Sequence, residues 1–74
     1  MQINRLENTV DRNGNAEVFC EVIFNSDTYG MINFGHWLTP NEMAAYTADN
    51  DAITTIMQAY QVTAELRKAQ ELSN

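Results

Sequence analysis

Ala16-Glu17-Val18-Phe19-Cys20-Glu21-Val22-Ile23-Phe24 is the stretch that decides the fold. It is rich in β-branched and aromatic residues, and its two sides alternate with period two, as in a strand. Ala16, Val18, Cys20, Val22 and Phe24 share one face, and Glu17, Phe19, Glu21 and Ile23 share the other. A strand of this kind needs hydrogen-bonding neighbours, and the flanking sequence supplies one on each side.

Upstream, Gln2 to Val10 runs into Asp11-Arg12-Asn13-Gly14-Asn15, a hairpin turn signalled by Asn-Gly. A two-residue Asn13-Gly14 turn would set Leu6 against Glu21 and Val10 against Glu17. A loop of Arg12-Asn13-Gly14 instead places Gly14 at the left-handed position such loops require. It pairs Val10 with Ala16, Leu6 with Cys20, Ile3 with Ile23, and Arg5 with Glu21. Like then faces like and the charges have opposite signs, so the longer loop is the expected one. Downstream, Asn25-Ser26-Asp27 is turn chemistry, and Thr28 to Leu38 reads as a third strand. Gly30, Ile32, Phe34, His36 and Leu38 alternate there with Tyr29, Met31, Asn33, Gly35 and Trp37.

The second half is helical. Thr39-Pro40-Asn41-Glu42 is a capping box with proline at the first helical position, and Leu38 and Met43 stand where a hydrophobic staple would join them. A short helix is expected over Pro40 to Thr47. Asp49-Asn50-Asp51 interrupts it, and a long helix is expected from about Asp51 to Leu72. Ile53, Ile56, Met57, Tyr60 and Ala64 form one apolar stripe on it; Ala59, Val62, Leu66, Ala69 and Leu72 widen that stripe around the cylinder. The order predicts an α+β fold: a three-stranded antiparallel sheet, with a short and a long helix packed on one face. The 74 residues form one domain, with the strand meander over 2–38 and the helices over 40–72.

A domain this small buries only about 60% of its unfolded surface, so its stability margin is thin. With one cysteine and one histidine, neither a disulfide nor a soft-metal site can reinforce it. Self-association is the remaining support, and a homodimer is the expected state. The net charge of −6 comes from 10 acidic and 4 basic residues, and only Arg67 and Lys68 are adjacent. That distribution argues against direct nucleic-acid binding and against anionic membranes. No run approaches the ~18 apolar residues of a membrane span. The N-terminus lacks the charged-then-apolar pattern of a signal peptide, and the unpaired cysteine suits a reducing compartment, so a cytoplasmic location is expected.

Nothing in the sequence assembles a catalytic group. Cys20 lies mid-strand on the most apolar face, where a thiol stays protonated, and a histidine at the position of His36 commonly bonds a neighbouring backbone group. Asp11-x-Asn13-x-Asn15 starts like a calcium loop, but glycine falls at the wrong place and Val22 stands where the closing glutamate belongs. No phosphate loop or nucleophile elbow is present, and so short a chain has little depth for a substrate pocket. The expected protein is therefore not an enzyme, with no cofactor, metal or small-molecule substrate.

Contact surface is what remains. Aromatics and methionine are enriched at interface cores. The expected surfaces are Tyr29, Met31 and Trp37 on one face of the third strand, and Val62, Leu66, Ala69 and Leu72 where the long helix outruns the sheet. The segment Leu38-Thr39-Pro40-Asn41-Glu42-Met43-Ala44-Ala45-Tyr46, followed by Asp49-Asn50-Asp51-Ala52-Ile53, resembles the capped helix pair after a strand meander in small orphan proteins of tailed phages and related mobile elements. The resemblance implies a small accessory protein of the host cytoplasm. It carries over no functional residue, and two alternatives stand beside the self-associating module: an anti-CRISPR-like acidic inhibitor of a nucleic-acid-binding or defence protein, with Glu7, Glu17, Glu21 and Asp27 as its candidate acidic face, and a small virion component.

Overall fold

The strands form a sheet of order β1-β2-β3, antiparallel throughout, from β1 (Gln2–Val10), β2 (Ala16–Ser26) and β3 (Gly30–Trp37). Three helices follow, α1 (Pro40–Ala48), α2 (Ala52–Gln58) and α3 (Gln61–Ser73). This is the α+β fold read from the sequence; the computed structural model describes residues 1–73.

The first turn is the three-residue loop. Val10 pairs with Ala16, the Asp11 N–H donates to the Asn15 carbonyl at 2.9 Å, and Gly14 adopts a φ of +81°. The Asp11 carboxylate accepts from the backbone N–H of Asn13 at 2.8 Å and of Asn15 at 2.9 Å, which pins the loop. The expected register holds down to Arg5 opposite Glu21 and then slips. Ile3 lies against Val22, not Ile23, because an irregularity between Ile3 and Arg5 adds a residue to β1. The slip turns Ile3 to the side that carries Leu6 and Val10, so the three apolar residues of β1 end on one face. The extra residue, Asn4, donates its side-chain amide to Glu21 Oε1 at 2.7 Å.

The second turn is organised by Ser26, which is buried. Its hydroxyl accepts from the N–H of Thr28 and of Tyr29, each at 3.2 Å, and donates to Glu65 Oε2 of α3 at 2.7 Å. Thr28 and Tyr29 therefore belong to the turn, and β3 starts at Gly30, later than the sequence suggested.

The core lies between β2, β3 and the helices. Cys20, Val22, Phe24, Ile32 and Phe34 meet Ile53, Met57 and Ala64, with Tyr46, Ile56 and Tyr60 packed around them. Burying each of the larger side chains contributes ~1.5–3 kcal/mol. The helices leave β1 bare: every residue of that strand is exposed, including Ile3, Leu6 and Val10 on the core side of the sheet.

The long helix expected over Asp51 to Leu72 is two helices. Its ladder breaks at Ala59 and Tyr60, where the Tyr60 N–H bonds the Met57 carbonyl at 3.0 Å in a tighter turn. The break falls where the Tyr60 side chain is anchored to α1, as described next. Between α1 and α2, Asp49 Oδ1 accepts from the Asp51 N–H at 3.0 Å, the turn chemistry expected of Asp49-Asn50-Asp51.

Candidate functional site

Polar side chains converge at one place, around Glu42 in the first turn of α1. The capping box is complete: Thr39 Oγ1 accepts from the Glu42 N–H at 3.3 Å, and Glu42 Oε1 accepts from the Thr39 N–H at 2.8 Å. The same Oε1 lies 2.8 Å from His36 Nε2, and Oε2 accepts from the Tyr60 hydroxyl at 2.6 Å. The His36 and Tyr60 rings approach to 4.0 Å, and Tyr60 in turn stacks on Phe34 at 6.0 Å. One carboxylate thus ties the end of β3, the start of α1 and the α2–α3 junction together. Burial pushes the Glu42 carboxyl up, but the bonds from Thr39, Tyr60 and His36 outweigh it and hold it at about 2. The bond to Glu42, reinforced by burial, pushes the Tyr60 hydroxyl up.

Because Glu42 is ionised, His36 must be the donor through Nε2, and its partner is this side chain rather than the backbone group expected from the sequence. Both carboxylate oxygens are engaged, so the cluster has the character of a structural clasp. Cys20 is fully buried, and desolvation pushes its thiol up, away from the reactive thiolate. Among the described residues no group of three or more His, Cys, Asp or Glu side chains could hold a metal ion.

The outer face of the sheet, opposite the helices, is built on an aromatic pair. Phe19 lies diagonally across Gly35, where a Cβ would come within 2.6 Å of its Cζ; the glycine makes room for the ring. Trp37 packs on Phe19 at 5.1 Å, and the Arg5 guanidinium covers Phe19 at 5.4 Å. Arg5 also pairs with Glu7 at 2.8 Å, which stands opposite Phe19, so its ion pair runs along β1 and not across to Glu21 as the register alone suggested.

Several expected contact residues lie in the open. Met31 and Trp37 are exposed on the outer face, Trp37 at 51%. Tyr29 is separated from them: it precedes the strand and packs half-buried against the core. Glu7, Glu17 and Glu21 share the outer face, whereas Asp27 sits in the second turn, so the four acids do not form one surface.

On α3 the apolar pattern is inverted. The helix meets the core through Ala64, and Arg67 covers Phe34 at 4.9 Å. With ~3.6 residues per turn, Val62, Leu66 and Ala69 fall on the side away from Ala64. Val62, Leu66 and Leu72 are 67%, 60% and 65% exposed. Ala69 is half-buried, and with Leu66, Gln70 and Ser73 it lines a shallow hollow of about 390 Å3.

The class defined by this geometry is a small α+β domain with a helix layer over two of its three strands. Among the described residues no helix is long and apolar enough to cross a membrane. No family model, curated protein or solved structure matches the chain.

Proposed function

We propose that the protein is a non-catalytic interaction module that associates with a second copy of itself through the outward stripe of α3. The observation that supports this is the inversion of α3: its small residue faces the sheet and its large apolar residues face water. Solvent-facing Val62, Leu66 and Leu72 gain nothing from the fold, and burial would contribute ~1.5–3 kcal/mol apiece. The occupant is a second copy because the stripe suits itself. Thr63 and Gln70 flank Leu66 without charge, and the charged Glu65 and Lys68 lie only on the Leu72 side, so two α3 helices can pack antiparallel about a two-fold axis centred on Leu66 despite the net charge of −6.

Three such side chains and an alanine fall well short of the ~800 Å2 a partner contributes to a standard interface. The dimer is therefore concentration-dependent, with monomer at low concentration. Light scattering on a size-exclusion column over a range of concentrations should show the mass rising from one chain toward two. Leu66→Glu should hold it at one chain without loss of helicity. A mass of one chain for the wild type at every concentration would overturn the reading.

A further inference from the structure

At the end of the sheet opposite the Ser26 turn lies a second hollow of about 470 Å3, lined by Asp11 and Glu17 together with Ala16, Trp37, Leu38, Pro40 and Met43. We infer that this hollow receives an arginine side chain carried by an apolar segment of another protein. The inference extends the reading of the chain as a contact module but uses a different surface from α3.

The argument is charge and shape together. Two carboxylates line the hollow and no basic residue does. Asp11 adds negative charge to the rim, but its oxygens are committed to the loop, accepting from the backbone N–H of Asn13 and Asn15 and from the Asn15 side-chain amide at 3.3 Å, so Glu17 is the carboxylate open to a ligand. Glu17 has neither a hydrogen bond nor an ion pair to another side chain among the described residues. Glu7 and Glu21 on the same face, by contrast, are engaged by Arg5 and Asn4.

Trp37 forms the wall. Its ring is steadied by Phe19, itself seated on Gly35, so the indole is held in place before any partner arrives. A guanidinium stacks on an indole face and pairs with a carboxylate in its own plane, which an ammonium does not. The volume exceeds one side chain, and Leu38, Pro40 and Met43 offer apolar contact to the neighbours of the arginine.

Trp37 is the chain's single tryptophan, so its fluorescence reports occupancy directly. The probe is a blocked leucyl-arginyl-leucine peptide, with the citrulline peptide as its neutral isostere. The arginine peptide should change the emission saturably, and the citrulline peptide should bind about ten-fold more weakly, as expected when a charge-assisted bond worth ~1.4 kcal/mol is lost. Glu17→Gln should weaken the arginine peptide by several-fold, whereas Glu21→Gln should not. Equal binding of the two peptides, indifference to Glu17→Gln, or no saturable change would overturn the inference. So would an emission change that follows protein concentration without peptide, since a second copy would then fill the hollow. Leu66→Glu should leave the peptide response intact, which separates failure here from failure of the α3 contact.

Discussion

The two ends of the helical layer are finished to different degrees. At α1, Glu42 satisfies the cap, His36 and Tyr60 with one carboxylate, and every polar partner is inside the molecule. At α3, the attachments are an alanine, a guanidinium over Phe34 and one hydrogen bond from Ser26 to Glu65, while the large apolar side chains point outward. A region whose groups are all paired internally serves stability. A region whose best contacts face water has surface left for another molecule. If the contrast is sound, mutations at the first should damage the fold, and mutations at the second should damage only assembly.

The largest effect is expected at Glu42. Glu42→Ala removes the cap and leaves the Tyr60 hydroxyl and His36 without their acceptor. The loss should be about 3 kcal/mol by urea denaturation, a large part of what a domain this small possesses. The pH dependence gives an independent check. The Glu42 carboxyl is held at about 2 in the fold, against 4.5 ordinarily. A depressed value means that the native state favours the ionised form. Its contribution is therefore complete above 4.5 and is lost as pH falls from 4.5 toward 2. Glu42→Gln cannot titrate, so its stability should fall less steeply than the wild type's through that window. Parallel acid limbs would mean that the clasp carries no weight.

A smaller effect is expected at Tyr60. Tyr60→Phe keeps the ring on His36 and Phe34 but leaves Glu42 Oε2 short of one donor, a loss of about 1 kcal/mol. Hydrogen exchange should locate it: protection should fall at the Ala59–Tyr60 turn and the α1 cap, and hardly at all in the last turns of α3. Uniform loss along all three helices would show the helical layer to be one unit, and the comparison would dissolve.

The sequence announced one half of this contrast more clearly than the other. Capping chemistry is local, so Thr39, Pro40 and Glu42 could be placed from neighbours within a turn of helix. The three-residue loop was equally legible, because only one register set like against like along β1 and β2. What escaped was set by contacts between distant segments. His36 and Tyr60 reach Glu42 only once β3 and the α2–α3 junction are packed, and nothing in a one-dimensional pattern marks that a cap residue will serve two more donors. The Ile3 slip depends on where Asn4 finds a partner across the sheet. The break at Tyr60 was hidden because the stripe of Ile53, Met57 and Ala64 keeps helical spacing through it. Tyr29 alternates correctly with Met31, yet the Ser26 hydroxyl holds it in the turn. Val62, Leu66 and Leu72 could be picked out by spacing, but only the structure shows that Ala64, and not they, faces the core.

The smallest effect on the isolated chain is expected on α3, and its smallness is the informative part. Leu66 is 60% exposed, so Leu66→Ser removes little that the monomer uses, and its stability in dilute solution should stay within ~0.5 kcal/mol of wild type. Concentration changes the expectation. An association that binds the folded state stabilises it by mass action, so the wild type's Tm should rise as the protein is concentrated. In Leu66→Ser that rise should vanish while the dilute value stays put. A drop of equal size at all concentrations would place Leu66 in the fold, and α3 would then be no less finished than α1.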